Sequence, residues 1–139
     1  MTALAVASTS DSPLDALRWE RRLLVVLAPT ADDTRIGEQL SLLAAAQDGA
    51  TERHVTPVVL WPSGGHLNGE LLSAAEAEAA WAQLHDQGPF AVLLVGKDGT
   101  VKSRTTQPTD MAPLFELIDT MPMRQREQAQ ASGASTSPP

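Results

Sequence analysis

The chain has 139 residues, of which 42% are hydrophobic, a formal net charge of −7 and no cysteine. This length and composition suit one globular domain, and the acidic charge argues against nucleic acid or an anionic membrane surface as the main partner. Without cysteine the chain cannot act as a thiol–disulfide oxidoreductase or thiol peroxidase, and no apolar run approaches the ~20 residues that span a bilayer.

The two ends of the chain differ in composition from its middle. Residues 1–12 (MTALAVASTSDS) have no basic start and only a short apolar run. We expect a flexible N-terminus there, belonging to a cytosolic protein or left from an export signal. Residues 128–139 are mostly Ala, Ser, Gln, Gly and Pro and are predicted to be a disordered tail. One domain is expected over residues 13–127.

The first predicted strand is the apolar run Leu23 to Ala28 (LLVVLA), which is typical of a strand buried on both faces. Pro29 ends it, and Asp32 or Asp33 can cap the next helix by accepting hydrogen bonds from its first N–H groups. Asp48-Gly49 is predicted to end that helix. Its apolar residues recur at helical spacing: Ile36, Leu40 and Leu43.

A second strand is predicted from His54 to Trp61, where Pro57 suggests an edge position or a bulge. The Gly-rich segment Pro62 to Gly69 is predicted to be a loop. Ser73 and Glu76 then have the spacing of a capping box, in which each side chain bonds to the other's backbone N–H. A second helix is expected to follow.

Phe90 to Val95 (FAVLLV) is predicted to be another buried strand. Gly96 to Gly99 (GKDG) is typical of a tight hairpin turn, and Thr100 to Arg104 is the returning strand. Thr109 is expected to cap a last helix, and Pro122 to close it.

The predicted order is β-α-β-α-β-β-α. The first two strands flank a helix and should be parallel, with a right-handed crossover, whereas the last two form a hairpin and must be antiparallel. The sequence therefore predicts an α/β fold with a mixed four-stranded sheet and helices on both faces.

This order resembles the thioredoxin core. The segment Gly88 to Val95 (GPFAVLLV), followed by Lys97-Asp98-Gly99, is similar to the thioredoxin segment that carries a cis-proline, a strand and a hairpin turn. The resemblance makes Pro89 the candidate cis-proline. It also places Pro29 to Asp33 (PTADD) where thioredoxins carry Cys-x-x-Cys, so it implies the fold without the redox chemistry.

A closer resemblance rests on three motifs in order: Arg18 to Val25 (RWERRLLV), Gly96 to Lys102 (GKDGTVK) and Ile118 to Glu127 (IDTMPMRQRE). They resemble an uncharacterised thioredoxin-like domain family that occurs alone in bacteria and attached to sushi-repeat and other extracellular-matrix proteins of vertebrates. The resemblance implies a periplasmic or extracellular location if the N-terminus is a signal remnant, and otherwise a cytoplasmic one. It transfers no catalytic residue.

The first candidate site is the pole that holds the active site in thioredoxins. The residues expected there are Pro29, Thr30, Asp32, Asp33, His66 and Pro89, with Asn68 and His85 nearby. Carboxylates and imidazoles from converging loops can bind a metal ion or serve a non-thiol enzyme. The spacing matches no metal motif, however, and helix capping explains the acids. We expect no metal and no cofactor.

The second candidate site is a basic pole at the opposite end, formed by Arg18, Trp19, Arg21, Arg22, Lys97, Lys102, Arg124 and Arg126. Arg104 is expected to lie too far along its strand to join them. Arginine forks suit carboxylate, sulfate or phosphate groups. The alternative is an internal ion-pair network with Glu20, Asp98, Asp119 and Glu127, in which Arg124 and Arg126 stabilise a helix C-terminus.

These observations favour a non-catalytic binding or interaction domain that contacts another protein or an anionic ligand at the basic pole. The alternative is a non-thiol enzyme or metal-binding protein that uses Asp32, Asp33, His66 or His85. A third hypothesis, docking to a genuine thiol oxidoreductase, has no positive support in the sequence.

Overall fold

The computed structural model describes residues 14, 17, 19–84 and 90–136, with side chains described as far as residue 129. Arg18, His85 and Pro89, including its predicted cis bond, therefore lie outside the described residues, as do residues 1–12. The strands are β1 (Arg22–Leu27), β2 (Val55–Trp61), β3 (Gly64–Leu67), β4 (Glu70–Leu71), β5 (Ala91–Val95) and β6 (Val101–Thr105). The helices are α1 (Thr34–Ala45), α2 (Gln47–Glu52), α3 (Ala74–Leu84), α4 (Met111–Asp119) and α5 (Pro122–Thr136).

The strands form one mixed six-stranded sheet in the order β4-β3-β2-β1-β5-β6. As predicted, β1 pairs with β2 in parallel, and β5 and β6 form an antiparallel hairpin. β1 also pairs with β5, antiparallel, with Leu27 opposite Ala91. The two apolar runs that the sequence singled out are thus neighbouring central strands.

Helices cover both faces of the sheet because β1 is apolar on both sides. Leu24 and Val26 face one core layer, formed with α1, α2 and α4. Val25 faces the second layer, which contains residues of α3. All three side chains are fully buried, so β1 contributes apolar burial to both layers.

The segment Pro62 to Gly69, predicted to be a loop, contains strand β3, so the sheet has two more strands than expected. A Cβ at Gly64 would lie 2.9 Å from the Trp61 ring, and one at Gly65 would lie 2.7 Å from the carbonyl oxygen of Val59. The lack of a side chain at these two glycines therefore allows neighbouring atoms to pack closely against β3. Asn68 and Gly69, with φ of 53° and 86°, turn the chain into β4, as Asn-Gly does in tight hairpins.

Pro57 does not mark an edge strand, because β2 lies between β1 and β3. The ladder between β2 and β3 begins only at Val58. The carbonyl of Pro57 accepts a hydrogen bond from the N–H of Asn68 on that side. The N–H and the carbonyl of one residue point to the same side of a strand. The N–H that Pro57 lacks would therefore point towards β3, at the end of this ladder, and its absence removes no hydrogen bond to β1.

Two of the predicted helix boundaries are wrong. Asp48-Gly49 lies inside α2, because α1 already ends at Ala45. Thr109 does not cap α4, whose N-cap is Asp110. Instead the buried Gln39 side chain donates to the carbonyl of Thr109 at 3.0 Å and accepts from its N–H at 2.8 Å.

Pro122 begins a helix where the sequence predicted an end. It is the first residue of α5, a position that suits proline because the missing N–H has no partner within the helix. Arg124 and Arg126 consequently lie near the start of α5, not at a helix C-terminus. α5 continues to Thr136, through most of the segment predicted to be disordered from Gln128. Within the described residues, no helix is long and apolar enough to cross a membrane.

Candidate functional site

The acids at the former active-site pole are engaged in local structure. Asp33 caps α1, accepting a 2.9 Å hydrogen bond from the N–H of Arg35. Its two oxygens also hold the Arg35 guanidinium at 2.9 and 2.7 Å. Hydrogen bonding from that guanidinium lowers the pKa of Asp33. Asp32 accepts from the Thr30 hydroxyl at 2.8 Å, so both carboxylates have structural roles.

Of the other described residues expected at this pole, His66 and Asn68 have different surroundings from those predicted. His66 is part of β3 rather than a loop, and its ring meets Trp61 edge-on at 5.2 Å. Asn68 lies at the opposite end of β2, bonded to Pro57. Pro29 is exposed just beyond β1. In the parts of the chain that the structure describes, no three His, Asp or Glu side chains gather so that they could hold a metal ion.

The basic pole is organised around the Glu127 carboxylate of α5. Glu127 Oε1 lies 3.1 Å from Arg22 Nη1, and Oε2 accepts a hydrogen bond from Lys97 Nζ. His54 Nδ1 accepts from the same lysine at 2.7 Å. We call these four residues the Glu127 cluster. Arg22 is 0% exposed and Lys97 7%, so two cations are held here away from solvent.

A second set of ion pairs fixes Arg124 beside this cluster. Arg124 Nη2 lies 2.7 Å from Glu52 Oε2, and its Nε lies 3.1 Å from Asp119 Oδ1. Arg53 forms two hydrogen bonds to the Asp119 carboxylate, at 3.1 and 3.0 Å. Much of the predicted basic pole therefore serves internal ion pairing.

Glu52, Arg53 and His54 were missed in the sequence analysis. They lie just before β2, and the parallel pairing of β2 with β1 brings them beside Arg22. The sequence did contain a signal for these three residues. The predicted parallel pairing of the first two strands places the starts of both strands at the basic pole.

The surroundings of these groups favour the charged forms of Glu127 and Asp119 and the neutral form of His54. Burial alone would raise the pKa of Glu127, but hydrogen bonds from Lys97 and Arg22 outweigh it and lower that pKa. The Arg53 hydrogen bonds lower the pKa of Asp119. Burial, followed by the positive charge of Lys97, lowers the pKa of His54.

Part of the basic pole lines an open groove of about 270 Å³, which we call the Trp19 groove. Its lining residues are Trp19, Arg22, Gly96, Lys97, Asp98, Lys102, Met121, Pro122, Met123 and Arg126. Trp19 is 60% exposed. Arg21, by contrast, is not among the lining residues, and its Nε donates to the Thr56 hydroxyl at 2.7 Å.

Arg22 connects the groove to the Glu127 cluster. Its Nη1 donates to the carbonyl of Arg53 at 2.8 Å and to Glu127. Its Nε and Nη2 are buried and have no hydrogen-bond partner among the residues that the structure describes.

Residues 13–127 match the family described as Domain of unknown function (DUF4174). The sushi repeat-containing protein SRPX of Rattus norvegicus is 35% identical over 124 residues, covering 86% of this chain and 27% of that protein. Coiled-coil domain-containing protein 80 of Danio rerio is 33% identical over 135 residues, covering 84% and 16%. The chain thus spans less than a third of these relatives' lengths.

Two solved structures from Plasmodium yoelii share the fold. Thioredoxin peroxidase I has a TM-score of 0.54 at 16% identity, covering 81% of this chain and 79% of that chain. Prx1a modified at its N-terminus has a TM-score of 0.53 at 16% identity, covering 90% and 83%. These similarities confirm the predicted thioredoxin-like fold, which here carries no cysteine.

Proposed function

This chain belongs to the DUF4174 family, and we propose that it serves as a non-catalytic binding domain whose binding surface is the Trp19 groove. The exposed indole of Trp19 is the observation that carries the proposal. A tryptophan in water leaves a large apolar area exposed, and its burial against a partner is strongly favourable.

The backbone holds Trp19 in position before any partner arrives. Its φ of 74° is unusual for a residue with a bulky side chain. Its N–H donates to the carbonyl of Lys97 in the hairpin turn. A backbone fixed in advance loses less conformational entropy on binding, which favours affinity.

The composition of the Trp19 groove suits a protein partner. Met121 and Met123 add flexible apolar surface beside Trp19, and Arg126 adds positive charge, whereas Lys102 is paired with Asp98 at 3.0 Å. Aromatic residues, methionine and arginine are enriched in protein interfaces. The groove therefore has apolar surface for burial and charges that orient an acidic partner.

We also propose a cellular location for this domain. Two curated relatives are sushi repeat-containing proteins by name, which supports a periplasmic or extracellular binding domain. The test is an immunoblot of cell fractions from a strain that expresses the full-length gene. Recovery only with cytosolic markers would contradict this location.

Peptide selection tests the binding function. A displayed library of random peptides is selected on the wild-type protein, and the affinities of the recovered peptides are then measured with Trp19→Ala and Leu71→Ala. Leu71 is the matched control because it is an exposed apolar residue, 74% accessible, on β4 and outside the groove.

We expect Trp19→Ala to weaken binding by about tenfold or more, as interface tryptophans do, and Leu71→Ala to leave it unchanged. Recovered peptides that bind Trp19→Ala as tightly as the wild type would overturn the assignment to this groove.

A further inference from the structure

The Glu127 cluster connects separate parts of the Trp19 groove. The turn between β5 and β6 and the start of α5 both contribute lining residues. The ion pair between Lys97 Nζ and Glu127 Oε2 joins these two segments. The carbonyl of Lys97 also accepts a hydrogen bond from the N–H of Trp19. The positions of the turn, of α5 and of Trp19 therefore all depend on Lys97.

His54 holds the Lys97 side chain in this place, and it can do so only as a neutral imidazole. His54 Nδ1 lies 2.7 Å from Lys97 Nζ. An ammonium group donates hydrogen bonds and accepts none, so Nδ1 must be the acceptor and carry no proton. Burial, followed by the positive charge of Lys97, lowers the pKa of His54 from 6.5. The neutral form is therefore the one present at neutral pH.

A proton on His54 Nδ1 would replace this hydrogen bond with a contact between two cations. Glu127 Oε2 lies 3.9 Å from Nδ1, so the imidazolium and Lys97 would compete for one carboxylate. The other charged groups that act on His54 are Arg21 and Arg22, both positive. Within the described part of the chain, Glu127 is the one acid at ion-pair distance from His54. Protonation thus disfavours the arrangement that holds Lys97.

Mildly acidic conditions act on His54 and spare the acid of the cluster. The His54 side chain is 42% exposed, so its ring can take up a proton from water. Hydrogen bonds from Lys97 and Arg22 outweigh the burial of Glu127 and lower its pKa from 4.5. Glu127 therefore stays charged at pH 5, and its proton uptake does not accompany that of His54.

We propose that the Trp19 groove is a pH-dependent binding site, in which protonation of His54 displaces Lys97 from Glu127, releases the turn that positions Trp19, and so weakens the binding of a peptide segment at mildly acidic pH. This inference rests on the proposed binding function and names the regulation of the same site.

Nuclear magnetic resonance of the isotope-labelled full chain, titrated without ligand from pH 7.5 to pH 5.0, tests the coupling. We expect the indole N–H of Trp19 and the amide of Gly96 to shift with the same midpoint as the His54 ring. A Trp19 signal that does not follow the titration of His54 would overturn the proposal.

Calorimetry tests the effect on binding. The probe is a histidine-free peptide selected on the wild-type protein at pH 7.5, and its affinity is measured at pH 7.5 and pH 5.0, where circular dichroism checks that each protein is folded. The variants are His54→Asn, since asparagine tolerates the φ of 58° and does not titrate, and His66→Gln, the matched control on β3 outside the groove.

Wild type and His66→Gln should lose about fivefold or more in affinity at pH 5.0, whereas His54→Asn should bind equally at both values. Equal affinities for the wild type, or tighter binding in acid, would overturn this inference and leave the binding function standing. A loss that persists in His54→Asn would contradict it by assigning the effect to another group.

Two further outcomes are covered by the spectra of the wild type. If His54→Asn does not fold, the midpoints of the His54 and Trp19 signals still decide whether the two residues are coupled. If selection recovers no peptide, the binding function fails, and the same midpoints decide the coupling separately.

Discussion

Glu127 is the acid that joins three elements at the basic pole. It forms ion pairs with Arg22 and Lys97, both buried, and so links α5 to β1 and to the β5–β6 turn. Removing one partner of a buried ion pair is costly because the remaining charges stay out of water without compensation.

Glu127→Gln should therefore lower the free energy of unfolding by about 3 kcal/mol. Chemical denaturation monitored by circular dichroism measures the change. Glu116→Gln, on the exposed face of α4, is the control and should change stability by less than about 0.5 kcal/mol. Equal effects of the two variants would show that the Glu127 cluster contributes nothing specific.

Acid should destabilise the fold in two stages. The pKa of His54 is lowered from 6.5, so the unfolded chain binds more protons and stability falls as the pH drops below 6.5. The pKa values of Glu127 and Asp119 are lowered from 4.5 and 3.8, so a second loss follows as the pH falls below these values.

His54→Asn should remove the first stage and keep the second, because asparagine tolerates the positive φ of 58° at this position but does not titrate. Unfolding free energies measured from pH 7 to pH 3 test this. A loss of stability between pH 7 and pH 5 that persists in His54→Asn would assign the first stage to another group.

Sequence reasoning at the residue level identified charge types better than charge partners. The three motifs predicted a basic pole with nearby acids, and they contain Arg22, Lys97, Arg124 and Glu127. Whether a base is buried in an ion pair or faces a groove depends on helix placement. Here that placement is set by α5, which begins at Pro122, where the sequence predicts the end of a helix.

At the level of elements, the apolar runs predicted the central strands because burial on both faces leaves little room for polar residues. β3 was missed because its glycines imply turns when read alone, although here they provide close packing against Trp61 and Leu60. Asn68-Gly69 was the signal that could have revealed the hairpin.

Gly65→Ala should destabilise the protein by about 1–3 kcal/mol, since its Cβ would lie 2.7 Å from both the Leu60 side chain and the backbone oxygen of Val59. Gly37→Ala, at an exposed position of α1, is the matched control, because its Cβ would meet nothing within 4 Å. Alanine should instead stabilise that helix by about 0.5–1 kcal/mol. The opposite ordering of melting temperatures would contradict the packing role of Gly65.

The whole molecule is a thioredoxin-like scaffold in which the former active-site pole serves helix capping and the opposite pole carries the groove that we propose as a binding surface. The fold followed from element order because parallel pairing with a crossover permits few topologies. Element order alone did not predict the groove, because the groove forms where three separate segments meet in space.

Truncation tests how far the domain extends. Ending the chain after Glu127 should preserve the fold and the groove, because the described ion pairs of α5 involve Arg124 and Glu127. Ending it after Thr120 removes both residues and should abolish cooperative unfolding. Loss of folding in the longer truncation would show that residues beyond 127 belong to the domain.

The most direct measurement of the central claim is a chemical-shift map of the isotope-labelled protein during titration with a peptide recovered by selection on the wild-type protein. We predict that the changes concentrate at the Trp19 indole, the Gly96 amide and the Arg22 side chain, with little change near Asp33 and Phe90. Changes concentrated around Asp33 and Phe90 would place the binding surface at the former active-site pole and contradict the account.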